Sequence, residues 1–562
     1  MSAGRGAGSI NKGTPTNRHW VGKSVDEAMP AARGPGQPSV GVCRQIVAAA
    51  AILTVAAGCA LDSRHTNRFV LVHKDGYPIN THRERILSKG DEKDTLNVFK
   101  ERWGKAILMG IDEYVEKAEK NGEIPKLLLY AHGGLNQYSK AIDYVGMVLN
   151  AIDTKRDQDN HELTALPRYY PVFINWDSSL LTSVWDDLAE IRFGERAPAF
   201  GYPSAPLEAA VRLGQGIFNT PTSFVLEFSN AWEGIDIKTD DTKQEDWCVP
   251  ELGGQKSNDW RVTSLVVFAV LSPLRIATTP VIQGFGSPAW DMMKRRAQLV
   301  MGPAKSLTTG DRKAEGAGRL LMEVLKERIT APNMWYHEPT KLTKRLEITL
   351  VGHSMGTLVL NHVLEEYSEL YFHRIVYLAA AASIDEVRAA VLPYLRRYPE
   401  SAFWSFSLSE TREALDYNLI DVYSRGSLLV WIDHFFQRIN APGDRAFGRA
   451  RNLREYFEIS DDLKKTPDGK PLPEGKPRFA LVKFGRTDKD PQKHEDLSKV
   501  VHLDTALRMV DSGECPRVPA SSVPAPDRGR RLATRHSPGT RLTGLQARLR
   551  LHPSSGPRGQ SR

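Results

Sequence analysis

Short apolar and β-branched runs, separated by polar or glycine-rich segments, are the clearest pattern along this chain. The runs with strand character are Leu127–Ala131, Tyr169–Trp176, Ile348–Val351, Arg374–Ala379, Ala402–Leu408 and Phe479–Phe484. Helix-like stretches follow two of them, at Thr357–Leu360 and Glu495–Met509. Apolar runs of this length, bounded by turn residues, are typical of buried strands. The pattern predicts a domain in which strands alternate with helices.

The run that ends at Val351 leads into a G-x-S-x-G turn. Gly352 and Gly356 flank Ser354 two residues away on either side, and a helix-like run begins at Thr357. This strand–turn–helix layout is that of a nucleophile elbow, because the glycines let strand and helix approach closely and the sharp turn pushes the serine outward. Ser354 is therefore the candidate nucleophile. The alternative is a glycine-rich turn with an inert serine.

A second glycine turn follows Leu127–Ala131, where the chain reads His132-Gly133-Gly134. Backbone N–H groups left free in such a loop suit an oxyanion hole, because attack on an ester carbonyl places negative charge on its oxygen. One donor would be the N–H of Met355, directly after the candidate nucleophile, and the other that of Gly133 or Gly134. An ordinary glycine turn is the alternative.

Together the two segments resemble the α/β-hydrolase superfamily, and more closely its lipase and esterase branch. The resemblance covers residues 125–180 and 345–505. It implies a mostly parallel sheet flanked by helices, and a chain order of oxyanion loop, serine, acid and histidine. It also implies acyl transfer through an acyl-enzyme, with a small-molecule or lipid ester as the substrate.

His494 is the candidate general base under this chain order. The predicted strand Phe479–Phe484 leads into a polar loop, and His494 then opens a helix-like segment. Catalytic residues concentrate in loops that follow strands. His502 and a plain surface role for His494 are the alternatives.

Glu410 is the first choice for the carboxylate that orients the histidine. It follows the predicted strand Ala402–Leu408 at its carboxyl end, where the superfamily usually places this group. Asp385, which follows the preceding strand, is the second choice, and Glu413 and Asp416 are further options. Either type of carboxylate would hold the imidazole tautomer and stabilise its cation.

An apolar stretch near the amino end ends at Cys59. It begins after Arg44 and is about 14 residues long, which suits a signal-peptide core rather than a membrane-spanning helix. Val55–Cys59 resembles a bacterial lipobox, although Ala56 stands where leucine is usual. The resemblance implies lipidation of Cys59 and a lipoprotein anchored in the bacterial cell envelope, on the periplasmic side or in the outer membrane. A buried alanine-rich helix is the alternative.

Length, charge and the two resemblances together divide the chain into five expected parts. We expect residues 1–58 to be a leader and signal peptide, 59–177 and 341–511 to be two parts of the α/β-hydrolase core that the resemblance implies, 178–340 to be an insertion that resembles the cap or lid of this superfamily, and 512–562 to be a disordered basic tail. The formal net charge is +8, but the tail and the leader carry the excess of basic residues. The basic balance therefore does not indicate a nucleic-acid partner.

Within the insertion, the apolar segment 262–282 is interrupted by Pro273, Arg275 and Pro280. A membrane-spanning helix needs about 20 uninterrupted apolar residues. The segment therefore predicts a buried pair of cap helices. The alternative is a lid that touches the membrane or binds an acyl chain.

The sequence as a whole predicts a lipid-anchored serine hydrolase that acts on carboxylic esters. It has no H-E-x-x-H pattern, no cysteine or histidine pairs at zinc spacing and no Walker-type loop, so neither a metal nor another cofactor is expected. One alternative is a catalytically silent envelope protein that keeps the fold and binds lipid or a protein partner. Another is acyl transfer to an alcohol instead of water.

Overall fold

The computed structural model of this chain is described over the following residues: 67–86, 95–134, 138–192, 195–196, 198–233, 258–305, 313–330, 346–409, 412–413, 416, 426–453, 479–484 and 490–514. The strands are β1 (Phe69–Val72), β2 (Pro78–Ile79), β3 (Lys126–Ala131), β4 (Tyr169–Trp176), β5 (Ile191–Arg192), β6 (Glu195–Arg196), β7 (Pro303–Lys305), β8 (Lys313–Glu315), β9 (Glu347–His353), β10 (Arg374–Leu378), β11 (Ala402–Leu408) and β12 (Phe479–Phe484).

Eight of these strands form one sheet in the order β2-β1-β4-β3-β9-β10-β11-β12. β2 is antiparallel to β1, and the other neighbouring pairs are parallel. The predicted mixed α/β fold with a mostly parallel sheet is confirmed at this level. The pairs β5–β6 and β7–β8 are separate antiparallel hairpins.

The central strands are buried along their whole length. Every residue of β1, β3 and β4 is buried, and so are all but the first residue of β9. Strands that are covered on both faces read as continuous apolar runs rather than as alternating ones. This burial explains why β3, β4 and β9 could be predicted from the sequence, whereas the short β1 was missed.

The helices cover the sheet and form the insertion. They are α1 (Thr95–Phe99), α2 (Lys105–Lys120), α3 (Tyr138–Thr154), α4 (Leu180–Trp185), α5 (Pro198–Glu233), α6 (Asn258–Met301), α7 (Ala317–Thr330), α8 (Gly356–Glu366), α9 (Ile384–Arg397), α10 (Leu428–Trp431) and α11 (Val500–Ser512). π-Helical turns occupy Lys100–Gly104, Asp186–Glu190 and Ile432–Phe436. The first turn of α9 is closed by a capping box, in which Ser383 and Glu386 bond each other's backbone N–H groups.

The segment expected to form a pair of buried cap helices is instead part of α6, a single helix of 44 residues. Its middle part, around Pro280 and Gly284, packs against α5. Trp290, Met293 and Ala297, further along α6, are buried in the same core as the sheet. No helix among the described residues is long and apolar enough to cross a membrane.

Helix α7 also belongs to the region expected to be an insertion, yet it covers the sheet. It packs against β1, and its residues Leu320, Leu321 and Leu325 are fully buried. The described parts of 178–340 fall within the same compact unit as the sheet, residues 60–562.

Candidate active site

The turn after β9 holds Ser354 in an unusual backbone conformation. The φ angle of Ser354 is +50°, between the end of β9 at His353 and the start of α8 at Gly356. A non-glycine residue in this left-handed region costs about 1–2 kcal/mol. Two hydrogen bonds to residues around the end of β10 hold the turn: the Ser354 N–H donates to the Leu378 carbonyl at 2.8 Å, and the Ala381 N–H donates to the Ser354 carbonyl at 3.1 Å.

Steric crowding around the motif requires glycine at both of its glycine positions. A β-carbon on Gly356 would lie 2.0 Å from the carbonyl oxygen of Ala131 at the end of β3. One on Gly352 would lie 2.9 Å from the Leu360 side chain and 3.0 Å from the backbone nitrogen of Thr357. Strand, turn and helix therefore pack as closely as a nucleophile elbow requires.

His494 contacts the candidate nucleophile. Its Nε2 atom lies 3.0 Å from Oγ of Ser354. Burial, with a smaller contribution from the neighbouring His353, lowers the pKa of His494 to about 3, so its ring is neutral at pH 7. A neutral imidazole at this distance is placed to accept the serine proton. His502, the alternative, lies on α11 and has no hydrogen bond to Ser354 in the described part of the chain.

The structure does not bring the second-choice acid, Asp385, to His494. Asp385 lies in the first turn of α9, where its side chain is 53% exposed and is 3.6 Å from Arg388. A carboxylate in the first turn of a helix interacts favourably with the helix dipole, which accounts for this position without a catalytic role. Glu410, the first choice, lies outside the described residues.

Asp416 is the candidate carboxylate that contacts His494. It is buried, and its Oδ2 atom accepts the backbone N–H of His494 at 2.9 Å. Burial raises the pKa of Asp416, and the bond from His494 opposes that rise. Glu413 is buried too, but its carboxylate accepts the hydroxyl of Ser427 instead. Nδ1 of His494 has no hydrogen-bond partner among the described residues.

The predicted oxyanion loop lies against the nucleophile turn. A β-carbon on Gly133 would be 2.9 Å from the β-carbon of Ser354, and one on Gly134 would be 2.6 Å from the sulfur of Met355. A side chain at either glycine would therefore collide with the site. Within the described ranges, no group accepts a hydrogen bond from the N–H of Gly133, Gly134 or Met355.

Two more buried histidines surround the nucleophile, and the sequence analysis gave neither of them a role. His132 bonds the backbone at the ends of β3 and β4. Nε2 of His353 lies 3.4 Å from the carbonyl oxygen of His494. Burial lowers the pKa of both rings to about 4. Each histidine directly precedes a motif residue, Gly133 or Ser354, and this position could have identified both of them from the sequence.

The site is closed in this structure. Ser354 is 1% exposed, and the Met293 side chain of α6 lies 3.1 Å from the position of a β-carbon on Gly134. A cavity of about 1100 Å³ lies between α5, α6 and residues 434–440, and neither Ser354 nor His494 lines it. Ser354 is therefore almost fully buried in this structure.

A possible metal-ligating group lies elsewhere in the described part of the chain. Asp157, Asp159 and His161 have ligand atoms within 4.8 Å of one another, on residues that are half-buried or exposed. His161 bonds Asp157 through both its backbone and its ring, so these contacts account for the cluster without an ion.

The proposed lipidation site Cys59 and residues 515–562 of the expected basic tail lie outside the described residues. The first three residues of that tail are described, and Ser512 ends helix α11. No family model, curated protein or solved structure matches this chain.

Proposed function

We propose that this protein is a serine hydrolase of the α/β-hydrolase type, which cleaves carboxylic esters through an acyl-enzyme. The observation that carries the proposal is the 3.0 Å distance between Oγ of Ser354 and Nε2 of a neutral, buried His494. The positive φ of Ser354 supports it, since such strain is concentrated at functional sites.

The reaction proceeds in two halves. The hydroxyl oxygen of Ser354 attacks the ester carbonyl while His494 takes the hydroxyl proton. His494 then gives that proton to the departing alcohol. The acyl group stays on Ser354 until water, activated by His494 in the same way, releases it as the acid. In both halves the N–H groups of Met355 and of the glycine loop stabilise the negative oxygen.

Asp416 is the carboxylate that we assign to His494. Its oxygen already contacts the backbone nitrogen of that residue, and Nδ1 of the same histidine is only a few ångströms from that nitrogen. Nδ1 is buried and has no other partner in the described structure, so an approaching carboxylate would satisfy it. Glu410 remains the competing assignment.

The proposed location follows from the amino-terminal sequence alone. Lipidation at Cys59 would anchor the enzyme in the bacterial cell envelope, with lipid or small-molecule esters as substrates. The competing function is a silent protein of the same fold that binds a lipid or a protein partner.

Labelling with a fluorophosphonate probe tests the proposed activity. The purified protein should be labelled, Ser354→Ala should abolish labelling, and His494→Ala should slow it by roughly a thousandfold or more, because the serine loses its base. Ser401→Ala is the matched control, since this serine is also fully buried and its hydroxyl donates to a backbone carbonyl far from the site. A folded parent that takes up no probe would instead favour the silent binding protein.

The acid is tested by comparing three amide variants in ester hydrolysis. Asp416→Asn should lower kcat by roughly 10³–10⁴-fold, as expected when the histidine loses its orienting carboxylate. Asp385→Asn and Glu410→Gln should stay within a few-fold of the parent. A large loss in Glu410→Gln, with Asp416→Asn unaffected, would transfer the role to Glu410.

A further inference from the structure

The carbonyl oxygen of Gly133 is held by two side chains. Nδ1 of His132 lies 2.7 Å from it, and Oγ of Ser178 donates to it at 3.1 Å. The His132 ring is itself fixed, because the backbone N–H of Trp176 donates to its Nε2 at 2.9 Å. A backbone N–H only donates, so Nε2 accepts and Nδ1 carries the proton that is given to Gly133.

Both side chains are well placed to hold this carbonyl permanently. His132 is 2% exposed and Ser178 is 1% exposed, so water does not compete for their bonds. Burial also lowers the pKa of His132 to about 4, which keeps the ring neutral and its tautomer constant near pH 7.

The order of the strands in the sheet indicates the direction in which the Gly133 carbonyl points. β3 lies between β4 and β9 in the sheet. Trp176 and Ser178 come from the end of β4, whereas Ser354 and Met355 come from the end of β9. The Gly133 carbonyl is therefore drawn to the side of β3 that faces away from the nucleophile.

Because the peptide bond is planar, the direction of the Gly133 carbonyl also determines the direction of the Gly134 N–H. The peptide between Gly133 and Gly134 is trans, so its N–H points opposite to its carbonyl. That direction is toward β9. The close packing of Gly134 on the Met355 side chain agrees with it, and this N–H donates to no other group in the described segments.

We infer that His132 and Ser178 are positioning residues that clamp the Gly133–Gly134 peptide, and that the N–H of Gly134, rather than that of Gly133, is the loop's donor to the oxyanion. The inference rests on the proposed function and selects between the two glycines that the sequence left open. The Gly133 N–H belongs to the preceding peptide, which the two bonds to the Gly133 carbonyl do not fix.

Kinetics of ester hydrolysis by the purified protein test the clamp. Ser178→Ala and His132→Gln should lower kcat, by about 10-fold for the loss of one of two bonds and up to about 10²–10³-fold if the peptide turns away, because the oxyanion then loses a donor. KM should change by less than about threefold, since the clamp acts on the transition state. Affinity for a boronic acid inhibitor, a mimic of the tetrahedral intermediate, should fall in parallel with kcat/KM.

Two comparisons separate positioning from a general loss of structure. His132→Asn places an amide N–H near the former Nδ1 and should recover much of the kcat lost in His132→Gln. Ser183→Ala is the matched control, because this buried hydroxyl also donates to a nearby carbonyl, that of Ser179, at 2.9 Å, and does not touch the loop. It should leave kcat at the parent value.

The outcomes distinguish the two proposals. A parent that neither hydrolyses esters nor takes up the fluorophosphonate overturns the proposed function. An active parent together with a folded Ser178→Ala variant of full kcat overturns the clamp alone. If His132→Gln does not fold, Ser178→Ala decides the question by itself, since it removes only one hydroxyl.

Discussion

Ser354 has a backbone conformation that residues other than glycine rarely adopt. Its backbone is in the left-handed region, and its N–H and carbonyl are bonded to Leu378 and Ala381 near the end of the neighbouring strand. Those bonds keep the serine in a conformation that costs free energy locally. The same conformation directs the hydroxyl to His494, so the strain and the proposed reactivity share one cause.

This strain can be measured by comparing two inactive variants. Ser354→Gly should be more stable than Ser354→Ala by about 1 kcal/mol, because glycine adopts positive φ without a steric cost and alanine does not. Urea unfolding of the two purified variants measures the difference. Equal stability, or a more stable alanine variant, would show that the turn stores no strain.

The turn that holds the candidate nucleophile could be predicted from the sequence because its geometry is local. Five consecutive residues and their flanking runs contain all that the elbow needs. The partners of His494 are different, since Asp416 meets its backbone across 78 positions of the chain, and only the folded structure brings the two together. The bond from Ser178 to the Gly133 carbonyl likewise joins residues that are 45 positions apart in the chain.

The pairing of helices α5 and α6 was also not visible in the sequence, because it depends on glycines rather than on an apolar stripe. A β-carbon on Gly216 would lie 1.9 Å from the carbonyl oxygen of Pro280, and one on Gly284 would lie 2.4 Å from that of Arg212. The two backbones therefore touch at these points. Across the same interface Ser223 donates to the Gln283 side chain at 2.9 Å.

Two alanine substitutions in α5 test this contact. Gly216→Ala should lower the free energy of unfolding by about 1–3 kcal/mol, because the new methyl group forces the helices apart. Gly214→Ala is the control in the same helix, since nothing lies within 4 Å of its β-carbon position. It should raise stability by roughly 0.5–1 kcal/mol through helix propensity. Thermal and urea unfolding would measure both, and equal effects would contradict the close contact.

At the scale of the whole molecule, stability is tied to pH through three buried histidines. Burial lowers the pKa of His132 and of His353 to about 4, and that of His494 to about 3. In the unfolded chain a histidine titrates near pH ~6.5. Between these values the unfolded chain binds protons that the folded protein does not accept, so the free energy of unfolding rises with pH.

The stability contributed by these rings should therefore be complete above about pH 6.5 and should decline as the pH falls toward 4. Each histidine accounts for up to about 1.4 kcal/mol per pH unit in that range. Urea unfolding at several pH values between 5 and 7.5 measures the slope. His353→Gln should reduce the slope of the free energy of unfolding against pH by the contribution of one histidine. A stability that does not change with pH would show that the rings titrate normally in the folded protein.

The order of the strands also determines when, during folding, the candidate site is assembled. Lys126 of β3 pairs with Glu347 of β9, so roughly 200 residues of chain separate these two neighbouring strands, and a pairing over such a separation forms slowly. Until β9 pairs with it, β3 is a sheet edge with unpaired backbone groups, which attract other edges. Ser354 reaches the glycine loop only when β9 fills this gap. A chain cut within the long connection between β4 and β9 would therefore leave an aggregation-prone half-sheet.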